Sequence, residues 1–425
     1  MDRRHFLALA GAATLAGCAR EEVAANDDPP VRFGYVSPQS GPLAAFGEAD
    51  NYVVGRMRRH FERGLTIGGR RHRVEILTRD SQSDRGRAAT VARDLISEGR
   101  VDLMLVAATP DTTNPVADVC EGAGVPCIST AAAWQPWWHD RKGDEAKPFR
   151  WTWHFFWGLE DNIGTYLDMW RQVPTNSVVG ALWPNDADGL AAGDPEYGFP
   201  PRLKKEGFEL VDPGRYENLT DDFRPQVNKF KKEKAEILTG VPQPPDFATF
   251  WKQAAELGYR PKVVTVGKAL LFPAFIDAMV PSAEGVASEV WWSPGHPFSS
   301  SLTGESSARL AADYSARTGK QWTQPIGFVH ALFEVAANVM SRAPAAQDRR
   351  GVADAIRNTD LRTIVGRIVW GGGKPNNPVP NVAKTSLVGG QWRRGEQFPF
   401  DLVVVSNSLA PAVKAAGRLT PIPTG

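Results

Sequence analysis

The chain has 425 residues, and its 49 lysines and arginines nearly balance its 48 aspartates and glutamates. The chain therefore lacks the excess of basic residues that is typical of nucleic-acid-binding proteins. Its three cysteines and seven histidines show no metal-ligand spacing, so no nucleic-acid partner, metal or cofactor is expected. Cys120 and Cys127 are expected to be buried free thiols, with a disulfide as the alternative.

The first eighteen residues indicate export. Arg3 and Arg4 begin a twin-arginine signal, and the apolar run behind them is shorter than the ~20 residues that span a bilayer. The run ends in Leu-Ala-Gly-Cys18, which resembles a bacterial lipobox and implies cleavage before Cys18 and acylation of its thiol. An ordinary signal peptide with an incidental cysteine is the alternative. Residues 1–17 are therefore predicted to be the signal peptide and 18–30 a polar tether.

An alternation of strands and helices follows the tether. Residues 31–36 and 74–77 are apolar runs typical of strands. Between them, apolar side chains at 49, 53, 57 and 61 recur every fourth residue, which predicts an amphipathic helix, and another helix is expected over 85–98. Alternating strands and helices with short connections predict a parallel α/β sheet.

The stretch 101–139 is the most informative part of the chain. It contains a strand over 103–107, a helix over 112–122 and a second strand over 125–128, followed by a loop of small residues. In an open parallel sheet, ligands bind beyond the carboxyl ends of strands and near helix N-termini. Two such ends lie side by side here, so the pattern predicts a ligand cleft.

A second series of elements predicts another lobe. Strands are expected over 178–183, 237–239 and 263–266, and Lys268 stands just beyond the last of them. The tail differs, because its segments 364–370, 389–393 and 402–405 are expected to be short antiparallel strands.

Several short segments, in this order and spacing, resemble the type I periplasmic substrate-binding proteins of ABC transporters, in the leucine/isoleucine/valine-binding (branched-chain amino acid-type) family. The resemblance covers roughly residues 31–370, and its segments are SGPL at 40–43, Asp80, TTNPVADVCEGAGVPCIST at 112–130, 158–161, ALWPNDADG at 181–189 and AEGV at 283–286.

The resemblance implies an α/β fold of two doubly wound parallel-sheet lobes joined by a three-strand hinge. Lobe 1 would comprise 31–158 plus 290–363, and lobe 2 would comprise 159–289 plus 364–425. The three crossings between the lobes are placed near residues 159, 289 and 364.

The function implied is that of the solute-binding component of an ABC importer. The two lobes would close on a small-molecule ligand and deliver it to the ABC permease subunits. The protein would be exported, periplasmic, monomeric and held at the membrane by its lipid anchor. A sensor lobe that reports ligand to a membrane signalling partner is the alternative. An enzyme is disfavoured, because the chain has no G-x-G-x-x-G, no cysteine cluster and no G-x-S-x-G.

The expected ligand contacts lie in both lobes. In the first lobe they are Thr109, Thr112, Thr113, Ala131, Ala132 and Ala133, and in the second they are Asp186, Val241 and Lys268. Six of the fourteen tryptophans lie between residues 134 and 157, which favours an aromatic pocket wall with Trp134 as the first candidate. Packing within the lobe, or a lid loop, is the alternative use of these side chains.

The charge of the ligand is predicted from Lys268. Amino-acid binders of the family have an acidic residue near this position, which neutralises the ligand's ammonium group. An unpaired lysine would repel that ammonium and attract a carboxylate, because a buried unpaired charge costs several kcal/mol. An organic acid with an aromatic or other apolar body is therefore expected, unless Asp186 supplies the missing anion.

We predict that the mature protein begins at Cys18 and carries acyl groups on that thiol. Mass spectrometry of the membrane fraction measures this directly. Replacing Arg3 and Arg4 together by lysine should leave unprocessed precursor inside the cell. An unmodified Cys18 in the exported protein, or export unaffected by the double replacement, would contradict the prediction.

Overall fold

The computed structural model describes residues 29–279 and 282–423, so the predicted signal peptide, Cys18 and nearly all of the tether lie outside the described residues. Within those ranges, no helix has both the length and the apolar character needed to cross a membrane.

The strands of the described residues are β1 (Val31–Ser37), β2 (Leu65–Ile67), β3 (Arg70–His72), β4 (Val74–Asp80), β5 (Leu103–Ala107), β6 (Cys127–Thr130), β7 (Thr152–Phe155), β8 (Val178–Pro184), β9 (Glu209–Val211), β10 (Arg215–Tyr216), β11 (Ile237–Gly240), β12 (Val263–Val266), β13 (Ala287–Val290), β14 (Asp360–Thr363), β15 (Gly366–Val369), β16 (Val382–Ala383), β17 (Val388–Arg394) and β18 (Phe400–Ser406). The α-helices are α1 (Asp50–Phe61), α2 (Arg85–Ser97), α3 (Pro110–Ala123), α4 (Trp134–His139), α5 (Leu159–Trp170), α6 (Ala187–Ala192), α7 (Phe199–Lys205), α8 (Arg224–Lys232), α9 (Pro244–Glu256), α10 (Pro273–Ala278), α11 (Ser307–Thr318), α12 (Pro325–Arg342) and α13 (Arg349–Arg357).

The first lobe is built on a six-stranded sheet of order β16-β7-β6-β5-β1-β4, in which every pairing is parallel. Every residue of β5, β6 and β7 is buried, because helices cover both faces of the sheet. The continuous apolar run of β5 is therefore a central strand, as its sequence predicts. Cys120 and Cys127 are free and buried in this lobe, which confirms the prediction of two thiols.

The second lobe is built on a sheet of order β10-β8-β11-β12-β13-β17-β18, with β9 also paired to β8. Its pairings are parallel as far as β13, and then β17 and β18 add as antiparallel strands. Two parallel α/β lobes confirm the predicted fold class. The antiparallel strands predicted for the tail at 389–393 and 402–405 form the edge of this sheet.

The chain passes between the lobes three times. It crosses between β7 and α5, returns between β13 and α11, and crosses again between β16 and β17. The third crossing predicted near residue 364 is wrong. Strands β14 and β15 form a separate antiparallel hairpin, and β16 pairs in parallel with β7 of the first sheet. The first lobe therefore extends to Ala383, because a short strand does not reveal in its sequence which sheet it joins.

One lysine ties two of these crossings together. Lys384 lies in the third crossing, and its Nζ donates to Glu160 Oε1 at 2.7 Å and to Asp161 Oδ1 at 2.8 Å. Both carboxylates belong to the start of α5, at the end of the first crossing. Glu160 also accepts hydrogen bonds from Trp134 Nε1, at 3.1 Å, and from Gln135 Nε2. The hinge is therefore held by an ion-pair network as well as by the backbone.

Candidate ligand site between the two lobes

A small cavity of about 40 Å³ lies where the two lobes meet. Its walls come from both lobes and from two of the crossings between them. The lining residues are Phe46, Thr109, Ala131, Ala133, Phe156, Trp157, Asp188, Val241, Lys268, Leu271, Glu289 and Trp291.

Five of the ten ligand contacts predicted from the sequence line this cavity, and all five follow strands. Thr109 follows β5, Ala131 and Ala133 follow β6, Val241 follows β11, and Lys268 follows β12. Carboxyl ends of parallel strands meet at one edge of each sheet, which is the edge where open α/β sheets bind ligands. The two sheets therefore bring these residues to one place.

The loop after β6 is held in an unusual conformation by a buried histidine. Ala131 has φ +68°, in the left-handed region that an alanine seldom adopts. His154 contacts the carbonyl oxygen of Ala132 through Nε2 at 2.8 Å and the hydroxyl of Ser129 through Nδ1 at 2.9 Å. Burial lowers the pKa of His154 to about 3, so this histidine is neutral. Ala132 therefore supports the loop and does not line the cavity.

Lys268 is not the free positive charge that the sequence suggests. Its Nζ lies 2.7 Å from Asp186 Oδ2 and 2.8 Å from Asp188 Oδ2, and the exposed fractions of the three side chains are 5%, 6% and 16%. Asp186 also caps helix α6, because its Oδ1 accepts from the Gly189 N–H at 2.9 Å. The prediction of an uncompensated lysine is wrong, because sequence spacing did not show that the ALWPNDADG turn folds back onto it.

The three charges of this ion-pair triad do not balance. Burial alone would lower the pKa of Lys268, but Asp186 and Asp188 outweigh it and raise the pKa above its ordinary value. One lysine neutralises only one carboxylate. Burial, with Asp186 and Asp111 nearby, raises the pKa of Asp188 to about 7 despite the attraction of Lys268. Asp188 therefore takes up or releases a proton near neutral pH. Burial also raises the pKa of Glu289, the other carboxyl group of the cavity.

Thr112 and Thr113 do not line the cavity, which corrects their predicted role. Helix α3 begins at Pro110, before the predicted start at 112, and both threonine hydroxyls donate to the carbonyl of Thr109 within their own helix turn. Thr109 is the N-cap residue instead. Its Oγ1 is buried without a hydrogen-bond partner among the described residues. The hydroxyl available to a ligand is therefore that of Thr109.

Trp134 also has a different role, because its indole N–H donates to Glu160 in the hinge network. The tryptophans of the cavity are Trp157 and Trp291. Both indole nitrogens are buried and have no hydrogen-bond partner within the described part of the chain. Trp137 and Trp138 pack against Phe149, so packing within the lobe accounts for these two tryptophans.

The cavity therefore has a definite chemical character. Three of its lining residues carry a buried donor without a partner among the described residues: the Thr109 hydroxyl and the indole N–H groups of Trp157 and Trp291. A buried polar group without a partner costs about 1–3 kcal/mol, so these donors favour a ligand with acceptor oxygens. Glu289 and Asp188 provide carboxyl oxygens at the same cavity, and Phe46 and Phe156 add apolar ring surface.

Seven of the twelve lining residues are not among the ten predicted contacts, namely Phe46, Phe156, Trp157, Asp188, Leu271, Glu289 and Trp291. Of these, Trp157 belongs to the tryptophan cluster 134–157 that was predicted as an aromatic wall. Four of the seven lie at the crossings predicted near residues 159 and 289. The predicted crossings could have identified these four residues, because a segment that crosses between the lobes passes beneath the cleft. The 3-10 helix that carries Phe46 offers no comparable sequence pattern.

Larger cavities lie elsewhere. One of about 440 Å³ is lined mostly by first-lobe residues, and two, of about 700 and 690 Å³, lie on the second lobe. Trp251, Arg260 and the C-terminal segment at Ile422 line both of them. Because each of these two draws on one lobe only, lobe closure would not enclose a ligand there. In the described ranges, no group of three or more histidine, cysteine, aspartate or glutamate side chains could hold a metal ion.

Comparison with known proteins agrees with this geometry. A family model described as "Periplasmic binding protein" matches residues 30–384. A search of curated proteins found no match. Among solved structures, the leucine-binding protein LivK of Thermotoga maritima is similar, with 17% identity, a TM-score of 0.71 and coverage of 89% of this chain and 99% of that one.

Two further solved structures contain ligands. The branched-chain amino acid transporter substrate-binding protein LivJ of Streptococcus pneumoniae, in complex with isoleucine, has 16% identity, a TM-score of 0.68 and coverage of 89% of this chain and 99% of that one. An ABC-transporter solute-binding protein of Rhodopseudomonas palustris, in complex with 4-hydroxybenzoate, has 16% identity, a TM-score of 0.70 and coverage of 93% and 98%. At these identities, the similarity establishes the fold.

We predict that Lys268→Met lowers the free energy of unfolding by about 3–5 kcal/mol, because it leaves two buried carboxylates without their cation. The loss should be smaller at pH 5 than at pH 8, since the carboxylates can then take up protons. Urea denaturation of the purified mature protein at both pH values measures it.

Lys384→Met is the matched control. It also removes a lysine from between two carboxylates, but at a more exposed site where about 1 kcal/mol or less is expected. Adding Asp188→Asn to Lys268→Met should recover part of the lost stability. Equal losses for the two lysine variants would contradict the view that Lys268 is the buried counter-ion of the cleft.

Proposed function

We propose that this chain, which belongs to the periplasmic binding protein family, captures a small organic solute between its lobes and delivers it to the permease subunits of an ABC importer. The observation that carries the proposal is the cavity at the carboxyl ends of both sheets, which residues of both lobes line. A cavity divided in this way is complete only when the lobes are together, so lobe closure and solute capture are one event.

The proposed solute is an organic acid with an aromatic or other apolar body. The argument from Lys268 no longer supports this choice, since two aspartates compensate that lysine. The unpaired donors support it instead, because the Thr109 hydroxyl and the indole N–H groups of Trp157 and Trp291 can donate hydrogen bonds to carboxylate oxygens. The 4-hydroxybenzoate complex of the Rhodopseudomonas protein adds support by analogy.

An α-amino acid is the competing solute, and the isoleucine complex of the Streptococcus protein favours it by analogy. Its ammonium group would have to bind Asp188 or Glu289 close to the ammonium of Lys268. Asp188 lies 2.8 Å from Lys268 Nζ and shares that cation with Asp186, so the surplus carboxylate would attract a second cation while Lys268 repelled it. This repulsion favours a solute without an ammonium group.

The membrane context is part of the same proposal. Export by the twin-arginine signal and a lipid anchor at Cys18 would hold the protein beside its permease, on the outer side of the membrane. A sensor lobe would use the same cleft but a different membrane partner. Co-purification of the anchored protein with transporter permease subunits supports the first role, and co-purification with a signalling receptor supports the second.

We predict that an aromatic acid binds with uptake of protons near neutral pH. Its negative charge raises the pKa of Asp188 further above its ligand-free value of about 7. Affinity should therefore fall as the pH rises above 7, by at most about tenfold per pH unit for one coupled proton. Calorimetry with benzoate, in two buffers of different ionisation enthalpy, measures the uptake.

Asp188→Asn should abolish most of this uptake. Glu334→Gln is the matched control, since burial also raises the pKa of Glu334 to about 7 but that residue lies outside the cavity. A solute with an ammonium group would favour ionised Asp188 and release protons. Proton release, or tighter binding of leucine than of both benzoate and 4-hydroxybenzoate, would therefore contradict the proposed solute class.

We also predict that the protein opens in solution to admit its solute. The cavity of about 40 Å³ is much smaller than the roughly 300–1,000 Å³ of typical ligand pockets. Small-angle scattering should therefore give a larger radius of gyration without solute than at saturation with an aromatic acid. An unchanged radius at saturation would count against capture by closure.

Calorimetric titration with an aromatic acid also distinguishes the hydroxyls of Thr109 and Thr112 as solute contacts. Thr109→Val removes an unpaired donor of the cavity and should weaken binding about 2–13-fold, the value of one hydrogen bond. Thr112→Val is the control, because that hydroxyl is bonded within α3. Equal affinities for the two variants would contradict the assignment of Thr109.

A further inference from the structure

Glu289 places a buried carboxyl group against the cavity. The residue is 3% exposed and is the third residue of β13, just before the second crossing. Its Oε2 accepts hydrogen bonds from Tyr166 Oη and from Ser288 Oγ, the latter at 3.1 Å. The Asn162 side chain also acts on this carboxyl group by hydrogen bonding. The bonds from Tyr166 and Ser288 both reach Oε2, so Oε1 is the oxygen with more capacity for a further donor.

The backbone opposite this oxygen has no side chain. A Cβ at Gly267 would lie 3.0 Å from Glu289 Oε1, 3.3 Å from its Oε2 and 3.4 Å from Val241 Cγ1, and both of these residues line the cavity. The glycine thus leaves room beside Oε1. Its φ is not in the positive range, so the backbone does not require glycine there. The glycine at this position is therefore explained by the packing around Glu289 and not by the backbone conformation.

We propose that Glu289 Oε1 is a specificity-determining acceptor for a hydroxyl group on the solute, so that the preferred solutes are hydroxylated aromatic acids. This inference rests on the proposed function and names the substrate class more narrowly. The carboxylate of the solute would meet the donors of Thr109, Trp157 and Trp291, while its ring hydroxyl would donate to Glu289.

The energetic reason is the cost of leaving Glu289 unpaired. Closure of the lobes removes water from the cavity, and a solute without a donor would leave a carboxylate oxygen desolvated and without a partner. A site built to hydrogen-bond a hydroxyl discriminates strongly against an isosteric analogue that lacks it. Glu289 therefore excludes unsubstituted acids as much as it attracts hydroxylated ones.

The first test compares solutes of equal shape on the full mature protein. The probes are 3- and 4-hydroxybenzoate, their 3- and 4-methyl isosteres, and benzoate, each titrated by calorimetry. We expect at least one hydroxybenzoate to bind ten or more times more tightly than its methyl isostere, as one hydrogen bond to a charged group allows. Equal binding within each pair would overturn the inference.

The second test uses Glu289→Gln. The amide oxygen would keep the bonds from Tyr166 and Ser288, and the amide N–H groups would then face the cavity as donors. The preference for the hydroxyl should fall to less than threefold. Glu334→Gln is the matched control, because it replaces another buried carboxyl that accepts from a serine hydroxyl outside the cavity, and it should keep the full preference.

Gly267→Ala keeps the inference testable if Glu289→Gln does not fold. Its methyl group would press on Oε1 and should reduce binding of the hydroxybenzoate more than binding of its methyl isostere. A preference that survives in both variants would overturn the role of Glu289. If the methyl isosteres and hydroxybenzoates bind equally well, the proposed function stands without the inference; if only amino acids bind, both the proposed solute class and the inference fail.

Discussion

The buried ion-pair triad of Lys268 with Asp186 and Asp188 is the constraint on which the cleft depends. It joins the loop after β12 to the start of α6, and it does so with one cation for two carboxylates. A protein interior tolerates such an arrangement only when the surplus charge is hydrogen-bonded or takes up a proton. The triad therefore fixes the shape of the second lobe's edge and also leaves one carboxyl whose charge responds to what enters the cavity.

Four of the other lining residues come from segments that connect the lobes. Phe156 and Trp157 follow β7 in the first crossing, and Glu289 and Trp291 lie at the second. Lys384 of the third crossing binds Glu160 and Asp161 beside the first. Because the same short segments form both the hinge and the floor of the cavity, a solute contacts the structure that must move when it binds.

The sequence was most informative about strands and their ends. Apolar runs such as 103–107 and 263–266 predicted buried parallel strands. The family resemblance, with the rule that ligands lie beyond strand ends, predicted the positions of Thr109, Ala131 and Lys268. The sequence did not indicate which charged side chains pair with each other in the folded protein. Nothing near Lys268 in the chain indicates Asp186 and Asp188, which come from a turn about eighty residues earlier. Thr112 and Thr113 were predicted beside Thr109, but helix α3 begins at Pro110, so both lie in its first turn and their hydroxyls bond to the Thr109 carbonyl.

The overlap of hinge and floor has a consequence for how such a protein changes during evolution. The apparent affinity of a two-lobed binder is its intrinsic affinity scaled by the population of the binding-competent arrangement. Substitutions at Trp157 or Trp291 would alter that population and the chemistry of the site together. A lineage acquiring a new solute would therefore adjust selectivity and resting conformation in the same mutational step. Thr109 and Val241 lie away from the crossings, so substitutions there can change selectivity without changing the resting conformation.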